Sequence, residues 1–210
     1  MKTTIFWDVD TQVDFMLSSG KLYVAGSEEI IPVLGRLTEY AHAHGIRIIA
    51  SADEHMAGHR ELSSQPDWKQ TFPEHCMQGT AGQQKIAETR LDNPLVIEPA
   101  PQDPAALAAR VRAHRGDILF HKHWFDVFSN PNVLPVVDAL APDAIVLYGV
   151  ALDVCNKYAV EGLLRLRPGI ALSVVTEAVR AIDPAIGSAL LDDWRRRGVG
   201  LATSDEVLAA

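Results

Sequence analysis

Two cysteines in 210 residues cannot build a disulfide framework, so this chain must be held together by a core. Basic runs are equally scarce. Nineteen lysines and arginines stand against 27 acids, for a formal charge of -8 and a pI near 5.4, which argues against a phosphate-backbone partner and excludes nucleic acid as the expected ligand. The one basic cluster, Arg195, Arg196 and Arg197, ends an amphipathic helical pattern, where cations suit the negative end of the helix dipole. No apolar stretch reaches membrane-spanning length. The opening MKTTIFWDVD meets an acid after a short apolar run, unlike a signal peptide. These absences predict a reduced, cytoplasmic protein with no membrane partner. Internal repeats, low-complexity tracts and linkers are missing too, so one domain over residues 1–210 is expected.

What is present suits a single substantial core: 48% of residues are hydrophobic and 22% charged. Apolar runs at Thr3 to Val9, Ile46 to Ala50, Leu95 to Ile97, Ile118 to Phe120, Ile145 to Tyr148, Ala171 to Val175 and Val199 to Ala202 read as strands. Between them lie helical patterns, one capped by Ser27 and ending at Gly45, others near 104–114, 131–140 and 184–197. Strand and helix alternate. That pattern predicts an α/β fold, a doubly wound, mostly parallel sheet in three layers, with ligands bound beyond the carboxyl ends of the strands.

The stretch AIVLYGVALDVCNKY (144–158) is the organising element. A buried strand stops at small residues, Asp153 offers a helix N-cap, and Cys155 falls in the first turn of a helix whose stripe is Tyr158, Leu163, Leu164 and Leu166. Free N–H groups there favour a thiolate. A lone cysteine in such a place is more often simply buried. Two other strand ends change the balance, because Asp10 follows the first strand and Lys122 ends ILFHK. A carboxylate can take a thiol proton, an ammonium can balance charge, and a thiolate can attack an acyl carbon.

The long polar segment from Ser51 to about Lys85 holds Asp53, His55, His59, Glu61 and His75. Nitrogen and oxygen donors at these spacings suit one divalent ion, zinc first, with iron or manganese as alternatives. A solvated loop is the competing reading. His121 and His123 flank Lys122 and are expected to solvate the site or point away. Phe15, Phe72, Trp68, Trp124 and Phe125 are candidates for core or rim packing, the reading kept for Trp68.

With these residues in view, the chain resembles the nicotinamidase and isochorismatase-like cysteine hydrolase superfamily. DTQVDF (10–15) is similar to the family's first-strand motif, which selects Asp10 over Asp8; GVALDVC (149–155) is similar to its nucleophile motif, and Lys122 stands where the family keeps its lysine. FPEHCMQGTAG (72–82) resembles the segment around its last metal-binding histidine. The resemblance implies the isochorismatase-like hydrolase fold and the nicotinamidase-like branch, a catalytic set of Asp10, Lys122 and Cys155, and a non-proline cis peptide at Val150–Ala151 that turns the N–H groups of Ala151 and Cys155 towards one oxyanion. It further implies a metal held by Asp53, His55 and His75 with His59 or Glu61 completing the set, and an aromatic sandwich of Phe15 and Phe72. Phe72 departs from the tryptophan common there, which bears on substrate choice. The expected reaction is hydrolysis of nicotinamide or a similar small aromatic carboxamide to the acid and ammonia through a thioester, by a homo-oligomer. Three alternatives stand beside it: a hydrolase of another small amide or carbamoyl compound, a metal-hydroxide hydrolase with a structural cysteine, and a non-catalytic small-molecule or metal-binding protein on the same fold. Isochorismate hydrolysis is disfavoured because that branch does not need the cysteine.

Overall fold

In a computed structural model describing residues 3–209, the core of the molecule is one seven-stranded, all-parallel sheet. Its strands are β1 (Thr4–Val9), β2 (Ile48–Asp53), β3 (Leu95–Ile97), β4 (Ile118–Lys122), β5 (Ala144–Val150), β6 (Ala171–Arg180) and β7 (Gly200–Ala202). The spatial order is β3-β4-β2-β1-β5-β6-β7. Helices α1 (Val13–Met16), α2 (Ile31–Ala43), α3 (Pro104–Ala113), α4 (Val133–Leu140), α5 (Lys157–Leu166), α6 (Pro184–Arg196) and α7 (Ser204–Leu208) cover its faces. The chain builds β2, β3 and β4 on one side of β1, then crosses back to lay β5 on the other. That reversal puts the carboxyl ends of β4, β2, β1 and β5 side by side, the place where an open parallel sheet leaves a crevice.

Because strand side chains alternate, β1 feeds two cores. Ile5, Trp7 and Val9 pack with Ile49, Phe120, Leu147, Leu163 and Trp194 on the face of α3 to α6, while Phe6 packs with Leu34, Leu37, Ile48 and Tyr148 under α2. All of these are buried. Polar residues inside the strands must therefore have partners, and Asp8 has two: Lys85 Nζ at 2.9 Å and the Thr11 hydroxyl at 2.8 Å.

Several expected boundaries move. The second strand starts later than Ile46 and runs on to Asp53, so Asp53 sits at a strand end like Asp10 and Lys122. The sixth strand reaches Arg180, its register shifting against β5 between Leu147 and Gly149. Ser27 does not cap a helix; its hydroxyl donates to the carbonyls of Phe15 and Met16, and a short 3-10 turn leads into α2. Asp153 is no N-cap either. Its carboxylate accepts from the N–H groups of Ile182 and Asp183, at 2.8 and 2.9 Å, tying the β6–α6 connection to the turn that carries Cys155. The buried stripe of α5 is Ala159, Val160 and Leu163 rather than one starting at Tyr158, whose ring is partly exposed.

Candidate active site

Four adjacent strand ends supply four candidate side chains, Asp10, Asp53, Lys122 and Cys155. Asp10 follows β1 with φ +50°, a left-handed backbone that few residues other than glycine adopt readily; its N–H donates to Ser51 O and the Ser51 hydroxyl donates to Asp10 Oδ1 at 2.6 Å. Lys122 at the end of β4 is fully buried with Nζ 2.9 Å from Asp10 Oδ2, paired also to Asp53 Oδ1, and 3.8 Å from Cys155 Sγ. Cys155 lies in a π-helical turn, Leu152–Asn156, between β5 and α5. The Val150–Ala151 peptide is cis, and Gly149 at φ +116° brings β5 against β1 so closely that a side chain there would run into the Val9 carbonyl.

A helix start was expected to favour the Cys155 thiolate, but burial dominates and pushes the thiol well above its ordinary pKa. Lys122 pulls it back, while Asp10 and Asp53 push it further up. Burial likewise raises Asp10, against the pull of Lys122. Lys122 stays protonated, since Asp10 and Asp53 outweigh the downward effect of burial. The resting site is thus a neutral thiol beside the Lys122 ammonium, which also pairs with Asp10. Such a thiol becomes nucleophilic only as a base takes its proton.

The second oxygen of Asp53 faces another cluster. Asp53, His55, Glu61 and His75 each present one donor atom, all within 4.8 Å of one another, and all four residues are buried. His75 Nε2 is 3.5 Å from Glu61 Oε1 and 3.7 Å from Asp53 Oδ2; His55 Nε2 is 4.0 and 3.9 Å from the same atoms. These gaps are too long for hydrogen bonds. Donors about 2.0–2.2 Å from a tetrahedral ion lie roughly 3.3–3.6 Å apart, so the set has close to the spacing that one divalent ion requires. His75 Nδ1 is 2.7 Å from the Pro73 carbonyl, which must accept, leaving the Nε2 lone pair free. His55 Nδ1 and Nε2, His75 Nε2 and Glu61 Oε2 have no hydrogen-bond partner despite burial. Burial and the neighbouring Asp53 charge also push the Glu61 carboxyl above its usual range, as crowded buried acids do when a cation is lacking. On both counts the residues fit a cation.

His59 does not join this set. The loop's main chain pairs with itself, Phe72 N–H donating to Glu61 O and Ser63 N–H to Phe72 O, and this turns Glu61 inward beside His75. His59, two residues earlier, accepts at Nδ1 from Met56 N–H and stacks on His123 with ring centroids 4.3 Å apart. His121 points away, its Nδ1 3.1 Å from Glu98 Oε1 and 3.5 Å from Glu54 Oε2.

Sequence reasoning missed how much of DTQVDF is structural wiring. Gln12 Oε1 accepts from Asp53 N–H at 2.7 Å, and its Nε2 donates to Asp53 O and Gln83 O at 2.8 and 2.7 Å. Asp14 accepts from Cys76 N–H at 2.7 Å and Lys21 N–H at 3.0 Å, and Gly82 is bare because a Cβ would meet that carboxylate. The motif therefore positions Asp53 and the neighbour of His75. Gln12→Ala leaves two buried groups of Asp53 unpartnered and is expected to cost about 3 kcal/mol, read as a lower urea midpoint at unchanged slope.

A cavity of about 470 Å³ opens over Cys155, with Asp53, Glu61 and His75 on its floor and Phe15, Phe72 and Phe125 in its wall. Phe15 and Phe72 flank His75, with ring centroids 5.4 and 6.3 Å from the imidazole. Ala151 lines it beside the cysteine. Trp68, read from the sequence as core or rim packing, lies at the rim, 63% exposed and edge-on to Phe72 with centroids 6.3 Å apart.

Comparison with known proteins gives this geometry a context. The chain is 28% identical over 192 residues to the nicotinamidase of Escherichia coli K12, covering 83% of this chain and 82% of that one. Among solved structures, a pyrazinamidase of Pyrococcus horikoshii in complex with zinc superposes with a TM-score of 0.73 at 20% identity, over 96% of this chain and 99% of that one. The N-carbamoylsarcosine amidase of Thermoplasma acidophilum superposes at 0.70 with 23% identity, over 98% of each. The two structures share the fold. Residues 5–206, which include every strand but the first residue of β1 and every side chain of the site, match the model of the isochorismatase domain, and the chain belongs to that family.

Proposed function

We propose that this protein is a metal-containing cysteine amidohydrolase that cleaves the C–N bond of nicotinamide or a similar small aromatic carboxamide. The observation that carries the reading is the buried Asp10–Lys122–Cys155 cluster, with Lys122 2.9 Å from the carboxylate and 3.8 Å from the sulfur, at the foot of an aromatic-walled cavity. The identity to a nicotinamidase supports the substrate class.

In this reading Cys155 Sγ attacks the carboxamide carbon as its proton passes to Asp10. The N–H groups of Ala151 and Cys155 serve the oxyanion. Asp10 returns the proton to the departing nitrogen, ammonia leaves, and a thioester remains. Water then loses a proton to Asp10 and attacks the thioester carbon; the acid departs and the thiol is restored. Lys122 keeps a positive charge beside Asp10 throughout, offsetting the negative charge that moves between carboxylate, sulfur and oxyanion. Phe15 and Phe72 hold the ring. Asp53, His55, Glu61 and His75 would hold the divalent ion, zinc by the chemistry of the donors. Such an ion supplies a Lewis-acidic position on the cavity floor for a ring nitrogen or water.

The experiment is ammonia release from nicotinamide, pyrazinamide and aliphatic amides, with Asp10→Asn as the internal control. The wild type should favour the aromatic amides. Asp10→Asn, which keeps shape but cannot take a proton, should lower kcat by about 100-fold to 10,000-fold. Ammonia from aliphatic amides alone would refute the substrate class, and an active Asp10→Asn would refute the base.

A further inference from the structure

Three large apolar side chains are more exposed than any others among the described residues: Trp68 at 63%, Ile182 at 52% and Ile186 at 51%. All three line the mouth of the one cavity that holds Cys155. They come from distant parts of the chain, Trp68 from the loop after β2 and the isoleucines from the start of α6. Scattered exposed hydrophobics need no explanation, but three converging on an active-site mouth mark a surface that something apolar covers.

The rim is also held in place. Asp153, two residues before Cys155, binds the N–H groups of Ile182 and Asp183, and the Asp183 carboxylate accepts from Ala185 N–H and Ile186 N–H. Asp153 and Asp183, two of the four acids that line the cavity, are thereby committed to main-chain donors. The ammonium groups of Lys69 and Lys157, which also line the cavity, enter no ion pair or hydrogen bond among the described residues. The outer cavity is therefore apolar, with Asp153 and Asp183 as well as Lys69 and Lys157 at its edge. Its volume, about 470 Å³, falls in the range of roughly 300–1,000 Å³ that houses drug-sized ligands, and a single-ring carboxamide anchored at Cys155 leaves the rim bare.

We propose that the preferred substrates are primary carboxamides whose acyl group carries an apolar arm beyond its first ring, the arm lying against Trp68, Ile182 and Ile186. This rests on the amidohydrolase reading and deepens it. The acyl side carries the arm because ammonia is the leaving group.

The test compares nicotinamide with phenyl-substituted nicotinamides, one for each free ring carbon, using wild type and the triple variant Trp68→Ala, Ile182→Ser, Ile186→Ser. At least one phenyl compound should exceed nicotinamide in kcat/KM by about tenfold with wild type. In the triple variant that advantage should vanish while nicotinamide turnover changes by less than about twofold. If nicotinamide is hydrolysed and every phenyl compound is poorer, or if the advantage survives in the triple variant, the proposal is wrong and the amidohydrolase reading stands. If no carboxamide releases ammonia, both fall. Sedimentation gives the last control, since a change of oligomeric state in the triple variant would assign the apolar rim to a second copy of the chain and overturn the proposal.

Discussion

Cys155→Ala should lower kcat on a carboxamide by about 10,000-fold or more, the loss seen when the nucleophile of an acyl-transfer site is removed. The reason is specific to this interior. Burial outweighs Lys122 and holds the thiol above its ordinary pKa, so in the proposed mechanism the sulfur attacks only once Asp10 accepts its proton, and alanine has neither sulfur nor proton to offer. Folding should be little changed, since the substitution removes one atom at a cavity wall. Iodoacetamide should inactivate the wild type with modification at Cys155 before Cys76. Both thiols are pushed up by burial, but Cys155 faces the open cavity, whereas Cys76 is wholly enclosed. Full activity in Cys155→Ala would end the covalent mechanism and transfer the chemistry to metal-activated water.

The second large effect concerns the donor cluster. Purified protein should carry close to one equivalent of divalent ion, measured by metal analysis. Glu61→Ala and His75→Ala should each lose most of it, whereas His59→Ala should retain it, because His59 packs on His123 and contributes no donor. Loading should be pH-dependent. Burial pulls His75 down, yet the Asp53 and Glu61 carboxylates facing Nε2 outweigh it and raise the imidazole to about 9. A proton and an ion compete for that lone pair, so affinity should rise with pH up to about that value, and loading below it should release protons. Chelation should abolish turnover of ring-nitrogen amides while leaving Cys155 open to alkylation. Retention of metal by Glu61→Ala together with loss by His59→Ala would reverse this assignment.

The sheet was legible because its signals are local. Continuous apolar runs at β1, β4 and β5, broken by helical periods, leave few arrangements other than a doubly wound parallel sheet, and the comparison family has that fold. Asp10, Lys122 and Cys155 stood out because each is a reactive group immediately after an apolar run. What stayed hidden depends on long-range pairing. The choice of Glu61 over His59 follows from main-chain bonds between residues 61–63 and Phe72, which no helical or strand period announces. Gln12 and Asp14 looked like ordinary turn residues, and only the folded loop reveals that their partners are Asp53 and Cys76. Asp153 had the sequence context of a cap, but the donors nearest to it belong to a connection almost thirty residues later. The cysteine's electrostatics were misjudged for a similar reason, since a helix-start argument counts nearby amides and omits the burial that closes over them.

Asp53 divides its carboxylate, one oxygen to Lys122 and the other towards His55 and His75. That sharing makes the two halves of the site a linked system. Charge drawn to one oxygen is less available at the other, so a cation held among the imidazoles would weaken the hold of Asp53 on Lys122 and leave the ammonium freer to serve Asp10 and sulfur. Thermodynamic reciprocity then requires that whatever factor the cation contributes to forming the thiolate, the thiolate returns to the affinity for the cation.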